Sequence, residues 1–468
     1  MTTRCLKTMS MVVFCLFILL VSCKDENYYT VEVVQPDTPT ETPDSINYQS
    51  PVQNIRNLNY FFGMDALWPS YILQVEGLRK MYSSSPFVDM SATDQMFLIL
   101  QTPEQAMKLT IVAKDSEISN PYTFSVTITE EDVEEGGFLY YYMPMYWDYR
   151  ALASWDKTQR VNLLWDIYVN DKLVDTYIYS PICRSIRNSS TIVTLTYDSS
   201  ESERLKESII NELNGYNAWL VDEGEKVNLL LSFADMLAGY IDEGSPMIER
   251  MKQEVLSDGY LKQLYATGTV DDGHTIEIIE AFAYLMQKYN MKYGYHFSDN
   301  MLSIRSTDEI FNLRQGYSTE LSCAFASWCA SLKLEVYLFI TPSLVYPVVK
   351  LPSGIMYPWN PELLFNEDYP ELEQPGEEAF NKVHENFLAS QKASEESYRM
   401  DKLHLEADEP RYRMVDVLNA KKYMPSLNLS GNYSQPVTRS AIITSQLQRI
   451  IDPVVLKKLK DEPGTFLK

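Results

Sequence analysis

The chain has 468 residues, of which 64 are acidic and 40 are basic, so its formal net charge at pH 7 is -24. A hydrophobic fraction of 45% supplies enough apolar surface for packed cores and excludes a disordered or collagen-like protein. The acidic excess argues against nucleic acid or an anionic membrane surface as the main partner, because both are bound through Lys and Arg. Six Cys in a chain of this length exclude a disulfide-stapled scaffold, and no pair has the CxxC spacing of a zinc ribbon.

The N-terminus has the organisation of an export signal. Arg4 and Lys7 precede an apolar stretch over residues 11–21. This stretch is too short to cross a bilayer comfortably and is typical of the hydrophobic region of a signal peptide. We therefore predict that residues 1–22 form a signal peptide, which is removed from the mature protein.

Residues 20–23, Leu-Val-Ser-Cys, resemble a bacterial lipobox, in which the Cys is acylated and becomes the new N-terminus. The resemblance implies a lipid anchor on Cys23, with palmitate among its acyl chains, and several chains on one Cys give stable membrane attachment. Residues 24–26, Lys-Asp-Glu, are similar to the export signal of Bacteroidetes lipoproteins, which implies the outer membrane with the protein facing the cell exterior. The alternative is an ordinary signal peptide followed by a chance Cys.

A tether and a β-rich region follow. Residues 23–50 contain Pro36, Pro39 and Pro43 among Thr and acidic residues, a composition that predicts an extended, disordered tether. Residues 51–199 predict a β-sandwich-like domain, because short runs of β-branched and aromatic residues alternate with turn-forming residues. These runs are 97–100, 109–112, 122–128, 161–169 and 191–197.

Two further features lie in the β-rich region. The aromatic run over residues 138–149 is expected to pack in a core, and a glycan-binding platform is the alternative. The acidic residues 130–132, 134 and 135 are expected in a solvated loop. A metal site is not expected there, because the sequence has no calcium-binding spacing. Cys183 has no obvious partner.

After residue 200 the hydrophobic period becomes helical. Residues 229–241, 247–256, 275–289 and 319–332 predict helices, and residues 335–340, 344–350 and 355–357 predict strands. Helices packed on a small antiparallel sheet make an α+β domain, which we assign to residues 200–430. Residues 431–468 are predicted to be a C-terminal extension with an amphipathic helix, which Pro453 interrupts.

The segment 304–361 contains Arg305, Asp308 and Glu309, followed by Gln315 and Glu320. With this order and spacing it resembles the catalytic core of the transglutaminase-like superfamily, a group that includes bacterial members with a papain-like core. Arg305, Asp308 and Glu309 match its "R-x-x-D-E" stretch, and Gln315 and Glu320 match the start of its catalytic helix. An apolar helix, a strand and the hairpin at 352–354 follow in the expected order. The resemblance implies the fold described above.

The resemblance also implies which residues would carry the chemistry. The superfamily uses a Cys at a helix N-terminus, a His on the adjacent strand and an Asp, Glu or Asn on the next strand. The corresponding positions in this chain are Ser318, Leu344 and Asn360. A Ser without a neighbouring base is a weak nucleophile and Leu cannot accept a proton, so the triad is degenerate. We expect Ser318 to be the N-cap of the helix instead.

No other residue restores the triad in an obvious way. The four His residues, His274, His296, His384 and His404, all lie outside the interval between Ser318 and Asn360. Cys323 and Cys329 fall inside the predicted helix among apolar residues and are expected to be buried and unreactive.

The sequence therefore predicts an outer-membrane lipoprotein with a catalytically inactive transglutaminase-like domain that binds a peptide, protein or glycan. We expect no metal, no cofactor and no nucleic-acid partner. One alternative is an active hydrolase or acyl transferase with a non-standard catalytic set. Another is a structural component of a surface assembly.

Overall fold

The structure is a computed structural model that describes residues 49–57, 66–81, 95–189, 192–198, 218–222, 226–232, 234–257, 271–294, 303–365, 377–407, 409 and 411–427. The predicted signal peptide, Cys23, the tether up to residue 48, His296 and the predicted extension 431–468 lie outside these ranges. The described part is a mixed α/β structure with several small sheets and helices. Within it, no α-helix is both long enough and apolar enough to cross a bilayer.

The α-helices of the described ranges are α1 (Pro69–Met81), α2 (Glu130–Glu135), α3 (Tyr149–Ala153), α4 (Pro246–Ser257), α5 (Asp272–Lys288), α6 (Thr307–Leu313), α7 (Ser318–Ser331), α8 (Glu377–Glu406) and α9 (Val417–Ala420). Two 3-10 helices span Ala234–Tyr240 and Pro361–Phe365.

The strands are β1 (Val52–Asn57), β2 (Ala66–Leu67), β3 (Gln95–Gln101), β4 (Met107–Ala113), β5 (Tyr122–Ile128), β6 (Phe138–Pro144), β7 (Gln159–Arg160), β8 (Leu163–Val169), β9 (Lys172–Tyr179) and β10 (Ile182–Cys183). They continue with β11 (Ile192–Asp198), β12 (Ala218–Asp222), β13 (Lys226–Ser232), β14 (Lys292–Tyr293), β15 (Gln315–Gly316), β16 (Glu335–Ile340), β17 (Val345–Lys350), β18 (Met356–Pro358) and β19 (Arg413–Asp416).

Two antiparallel sheets form most of the region before residue 190. One has the strand order β1-β3-β6 and another the order β5-β4-β8-β9, while β2, β10 and β7 form a small third sheet. In β4 the residues Met107, Leu109, Ile111 and Ala113 are buried, whereas their neighbours along the strand are exposed or half-buried. This alternation is what a strand with one face on a core produces. The predicted strands of this region are confirmed.

Of the two predictions about local features of this region, one is confirmed and the other is wrong. The aromatic run contributes Tyr141, Met143, Met145 and Trp147 to the buried core, as core packing predicts. The acidic residues 130–132 do not form a loop, because they begin the short helix α2. Thr129 caps this helix: its side chain accepts from the N–H of Asp132, whose carboxylate in turn accepts from the N–H of Thr129. Acidic side chains at a helix N-terminus are also favoured by the helix dipole.

In the second region, the sheet β18-β17-β16-β19 is antiparallel and α7 packs on it. The predicted helices at 247–256, 275–289 and 319–332 are confirmed as α4, α5 and α7, and the three predicted strands as β16, β17 and β18. The prediction of a helix over 229–241 is wrong for its first part, since residues 226–232 form β13 between β11 and β12. A short run of consecutive apolar residues satisfies a buried strand as well as a helix, so the period alone does not separate them.

The two regions make direct contacts around the loop at residues 185–189. The N–H of Ile304 donates to the carbonyl of Arg187 over 2.8 Å, and Arg187 Nη2 lies 2.6 Å from Glu309 Oε1. The Ser70 hydroxyl and the Tyr240 hydroxyl both donate to the carbonyl of Asn188. One hydrophobic cluster contains buried side chains of both regions, and the division at residue 199 stays a prediction.

A buried ion pair between Arg305 and Glu320 holds the start of α7. Arg305 Nε and Nη2 donate to the two carboxylate oxygens of Glu320, each over 2.7 Å, and the backbone N–H of Arg305 donates to Oε1 over 2.9 Å. The side chains are 8% and 0% exposed. The hydrogen bonds to Glu320 raise the pKa of Arg305 above its usual range.

We predict that Glu320→Gln lowers the free energy of unfolding by about 3–5 kcal/mol, because it leaves a buried guanidinium without its counter-charge. Denaturant-induced unfolding would measure the loss. The matched control is Glu335→Gln, which removes a carboxylate from the exposed pair with Lys350 and should have a much smaller effect. Equal effects of the two substitutions would show that the buried pair does not hold this part of the fold.

Candidate functional site

Ser318 is buried at the first residue of α7, and its hydroxyl is already occupied. It donates to the carbonyl of Val345 over 2.8 Å, and the Ser322 hydroxyl donates to the same oxygen over 2.7 Å. The N–H of Thr341 donates to the carbonyl of Leu344 where the hairpin between β16 and β17 closes. Because carbonyls alternate in direction along a strand, the Val345 carbonyl turns away from β16 and is left for the two hydroxyls.

The expectation that Ser318 is the N-cap is wrong. The N-cap is Tyr317, which has extended backbone angles, and its N–H donates to Glu320 Oε2. The Tyr317 hydroxyl donates to the carbonyl of Ser303. Since Glu320 satisfies the N-cap amide from inside the helix, Ser318 is free to bond to the neighbouring strand.

Leu344, which the resemblance aligns with the base, lies on the face of the sheet opposite to α7. It is half-buried and packs with Phe339, Tyr346 and Val348. The next residue, Val345, belongs to the separate hydrophobic cluster that contains α7. Successive side chains of a strand point to opposite faces, so the position that faces α7 is Val345. Neither side chain can accept a proton.

Asn360, the third position, is buried and serves local structure. Its backbone N–H donates to the Ser394 hydroxyl over 2.8 Å, and its carboxamide oxygen accepts from the N–H of Glu362 over 3.0 Å. The preceding Trp359 is fully buried and donates to the Ser390 hydroxyl. These bonds join the end of the sheet to α8.

The other residues of the matched segment also have structural contacts. Asp308 accepts from the N–H of Met247 at the start of α4, which places a negative charge at that helix N-terminus. Glu309 caps α6 through the N–H of Ser306 and pairs with Arg187. Arg305 and Glu320 form the buried pair. Arg305, Asp308, Glu309 and Glu320 therefore each have a structural contact that explains their presence.

The described thiols are poor nucleophiles. Cys183, Cys323 and Cys329 are buried and form no disulfide. Burial raises the pKa of each thiol above its usual value, so the thiolate is scarce at neutral pH. The expectation that Cys323 and Cys329 are buried is confirmed.

The three described histidines each lie beside a carboxylate outside α7. His274 Nδ1 is 2.9 Å from Asp271, His384 Nδ1 is 2.6 Å from Glu280, and His404 Nδ1 is 2.6 Å from Glu409. Among the described residues, no imidazole hydrogen-bonds to the Ser318 hydroxyl. The same part of the chain holds no group of three or more potential ligands for a metal ion.

An open cleft of about 500 Å³ lies on the face of the sheet that carries Leu344. It is lined by residues 341–344, Tyr346, Asn360, Leu363 and Tyr412, together with residues of α8. From α8 come Ser394, Glu396, Ser397, Met400 and Asp401. The structure therefore brings Leu344 and Asn360 to one cleft, while Ser318 does not line it.

Two tyrosines and a carboxylate shape this cleft. The Tyr346 hydroxyl donates to Asp401 Oδ2 over 2.9 Å, and its ring stacks on Phe339. Burial and the nearby carboxylate of Asp401 raise the pKa of Tyr346. The Tyr412 ring stacks on His404 with a centroid distance of 4.6 Å.

Sequence reasoning missed the α8 wall of the cleft. Ser394, Ser397 and Asp401 recur at intervals of three and four residues, which is the spacing of one helix face. The sequence shows this spacing. It does not show that this helix face lines a cleft with residues 341–344, because the two segments are far apart along the chain.

Comparisons with known proteins add little. No family model matches the chain, and no curated protein matches it. A solved structure of a candidate protease from Parabacteroides distasonis is similar with 8% sequence identity and a TM-score of 0.18, covering 56% of this chain and 59% of that one. The chain thus spans less than two thirds of that protein, and so low a TM-score supports no conclusion about fold or function.

We predict that Ser318→Ala lowers the free energy of unfolding by about 0.5–1.5 kcal/mol, the usual net value of one hydrogen bond. Ser322→Ala should do the same, because either hydroxyl alone still satisfies the Val345 carbonyl. The double substitution should cost more than the sum of the two, since it removes both side-chain donors from this acceptor. A double-mutant cycle by denaturant unfolding tests this, and strictly additive losses would contradict it.

Proposed function

We propose that this protein is a ligand-binding protein built on a catalytically inactive transglutaminase-like domain, and that it binds a peptide, protein or glycan. The observation that supports the proposal most directly is the hydrogen bond that the Ser318 hydroxyl makes. At the position where the superfamily places its nucleophile, a buried hydroxyl donates its proton to the Val345 carbonyl.

This arrangement supports binding over catalysis. Activation of a Ser requires a base within hydrogen-bond reach that takes its proton, and a peptide carbonyl is not such a base. A change of register by one residue does not help, since Leu344 and Val345 are both apolar. The buried Cys thiols do not supply a replacement, because burial raises their pKa.

The cleft beside Leu344 and Asn360 is the binding site we propose. Its volume of about 500 Å³ is comparable to that of small-ligand sites, which run from ~300 to ~1,000 Å³. The lining combines apolar side chains such as Leu363 and Met400 with hydroxyls, an amide and carboxylates. Such a mixture provides contact area together with a few polar groups that orient a ligand.

We further propose that the two antiparallel sheets of the first region pack as a sandwich. The Tyr177 hydroxyl in β9 donates to Asn54 Oδ1 in β1 over 2.8 Å. The guanidinium of Arg56 lies over the ring of Tyr179, 4.7 Å from its centroid. These contacts link one strand of each sheet, and inward-facing residues of both sheets belong to one hydrophobic cluster.

The proposed location is the outer membrane, with the protein anchored through acylated Cys23 and facing the cell exterior. The support is the lipobox-like sequence at residues 20–23 and the Lys-Asp-Glu that follows it. A Pro-containing tether up to residue 50 would then hold the folded part away from the membrane.

We predict that the purified protein neither hydrolyses nor transfers amide substrates. In the native protein, Cys183, Cys323 and Cys329 should be alkylated slowly, and after unfolding they should react rapidly because the buried thiols become accessible. Mass spectrometry of the three Cys-containing peptides measures both rates. Turnover that Ser318→Ala or a His substitution abolishes would establish the enzyme alternative, as would fast native alkylation of Cys323 or Cys329 that removes activity.

We predict that Cys23→Ala abolishes acyl labelling and releases the protein from the membrane fraction, because the anchor is lost. Protease added to intact cells should degrade the wild-type protein. A protein that survives on intact cells and is degraded only after lysis would face the periplasm, contrary to the proposed orientation.

A further inference from the structure

The cleft has an uneven distribution of charge. Glu396 and Asp401 both line it, and none of its described lining residues is Lys, Arg or His. We propose that the cleft recognises a cationic ligand, specifically a basic peptide segment that inserts a Lys or Arg side chain. This inference rests on the proposed binding function of the same cleft and names the chemistry of its ligand.

The Asp401 carboxylate is oriented by a hydrogen bond before any ligand binds. Tyr346 donates to its Oδ2 and occupies one of the roughly four acceptor positions of a carboxylate. Tyr346 is 1% exposed and stacks on Phe339, so the donor itself is fixed by packing. A carboxylate that is oriented before the ligand arrives loses little entropy on binding, and its hydrogen bonds to a guanidinium or ammonium are among the strong ones.

The remaining walls suit the other parts of a basic side chain. Leu344, Leu363 and Met400 offer apolar surface for its aliphatic stem, and the Met400 side chain is 54% exposed at the cleft. The half-buried ring of Tyr412 also lines the cleft, and an aromatic ring attracts a cation. The exposed Ser343 and Ser397 also line the cleft and offer hydroxyls to a peptide backbone.

Charge selects this ligand over the other candidates. An acidic peptide or anionic glycan would be repelled by the two carboxylates, whereas a neutral glycan gains nothing from their charge. The whole chain carries a net charge of -24, which also draws a cationic partner toward it. Affinity should therefore decrease with salt.

The test measures binding of three probes to the full-length mature protein by fluorescence anisotropy. The probes are a peptide of alternating Gly and Lys, the same peptide with Glu in place of Lys, and a neutral oligosaccharide. We expect only the Lys peptide to bind, with an affinity that falls as sodium chloride rises from about 0.05 to about 0.5 M. The pair Glu396→Gln and Asp401→Asn should weaken its binding about tenfold or more.

A matched control separates recognition in the cleft from general attraction to an acidic protein. Glu385→Gln with Glu395→Gln removes the same charge from exposed positions of α8 that do not line the cleft. This control should change the affinity less than twofold. Glu396→Gln alone is included because Glu396 is exposed and its replacement does not disturb the bond between Tyr346 and Asp401.

The results that would contradict the inference can be told apart from one another. Equal weakening by the cleft pair and the control pair would show non-specific attraction and overturn the inference. Binding of the neutral oligosaccharide alone, lost in Leu344→Arg, would overturn the cationic assignment while the proposed binding function stands. If none of the three probes binds, the inference is overturned. If, in addition, the protein captures no peptide, protein or glycan, the proposed function is overturned as well.

Discussion

The buried pair of Arg305 and Glu320 is the interaction on which the second half of the molecule depends. Glu320 accepts from the backbone and side chain of Arg305 and from the N–H of Tyr317, so one carboxylate fixes both the start of α7 and the segment that leads to it. That segment begins at residue 303, where Ile304 and Glu309 bind the loop of the first region. The pair thus sets the position of Ser318 and, through residues 303–309, the contact between the two regions. Burying such a pair is favourable only with this complete set of hydrogen bonds.

The same frame supports the proposal that this chain binds a ligand and does not catalyse a reaction. In α7, the hydroxyls of Ser318 and Ser322 bond to the Val345 carbonyl, so groups at the position of a nucleophile join a helix to a strand instead. The cleft lies on the other face of that strand, where Leu344, Tyr346 and α8 meet. One sheet therefore separates the packed core around Ser318 from the cleft that we propose as the binding site. A cationic ligand fits this surface because Asp401 is oriented by Tyr346 and no basic side chain of the described lining competes for it.

Local patterns predicted elements well wherever a pattern was long and its period was clear. The helices at 247–256, 275–289 and 319–332 and the strands at 335–340 and 344–350 were found for this reason. The run at 229–232 was assigned to a helix because three consecutive Leu satisfy both periods, and pairing with β11 and β12 decided for a strand. The acidic run at 130–132 begins a helix because Thr129 caps it. The cap is a hydrogen bond between residues three positions apart, and the charges of the run do not predict it. The long helix α8 was missed, since its sequence is polar and most of its length is exposed.

What the sequence by itself determined is the inventory of chemical groups: an acidic chain, a Cys in a lipobox-like stretch, and Ser, Leu and Asn at positions 318, 344 and 360. These conclusions depend only on which residues are present and on their spacing. The tertiary structure alone decided what each group does. It directs the Ser318 hydroxyl to a carbonyl 27 residues away, turns Leu344 to the face opposite α7, and brings Asp401 to Tyr346 across 55 residues. Such partners are chosen by strand register and helix packing, which arise from the sum of many distant contacts and leave no periodic signal in the chain.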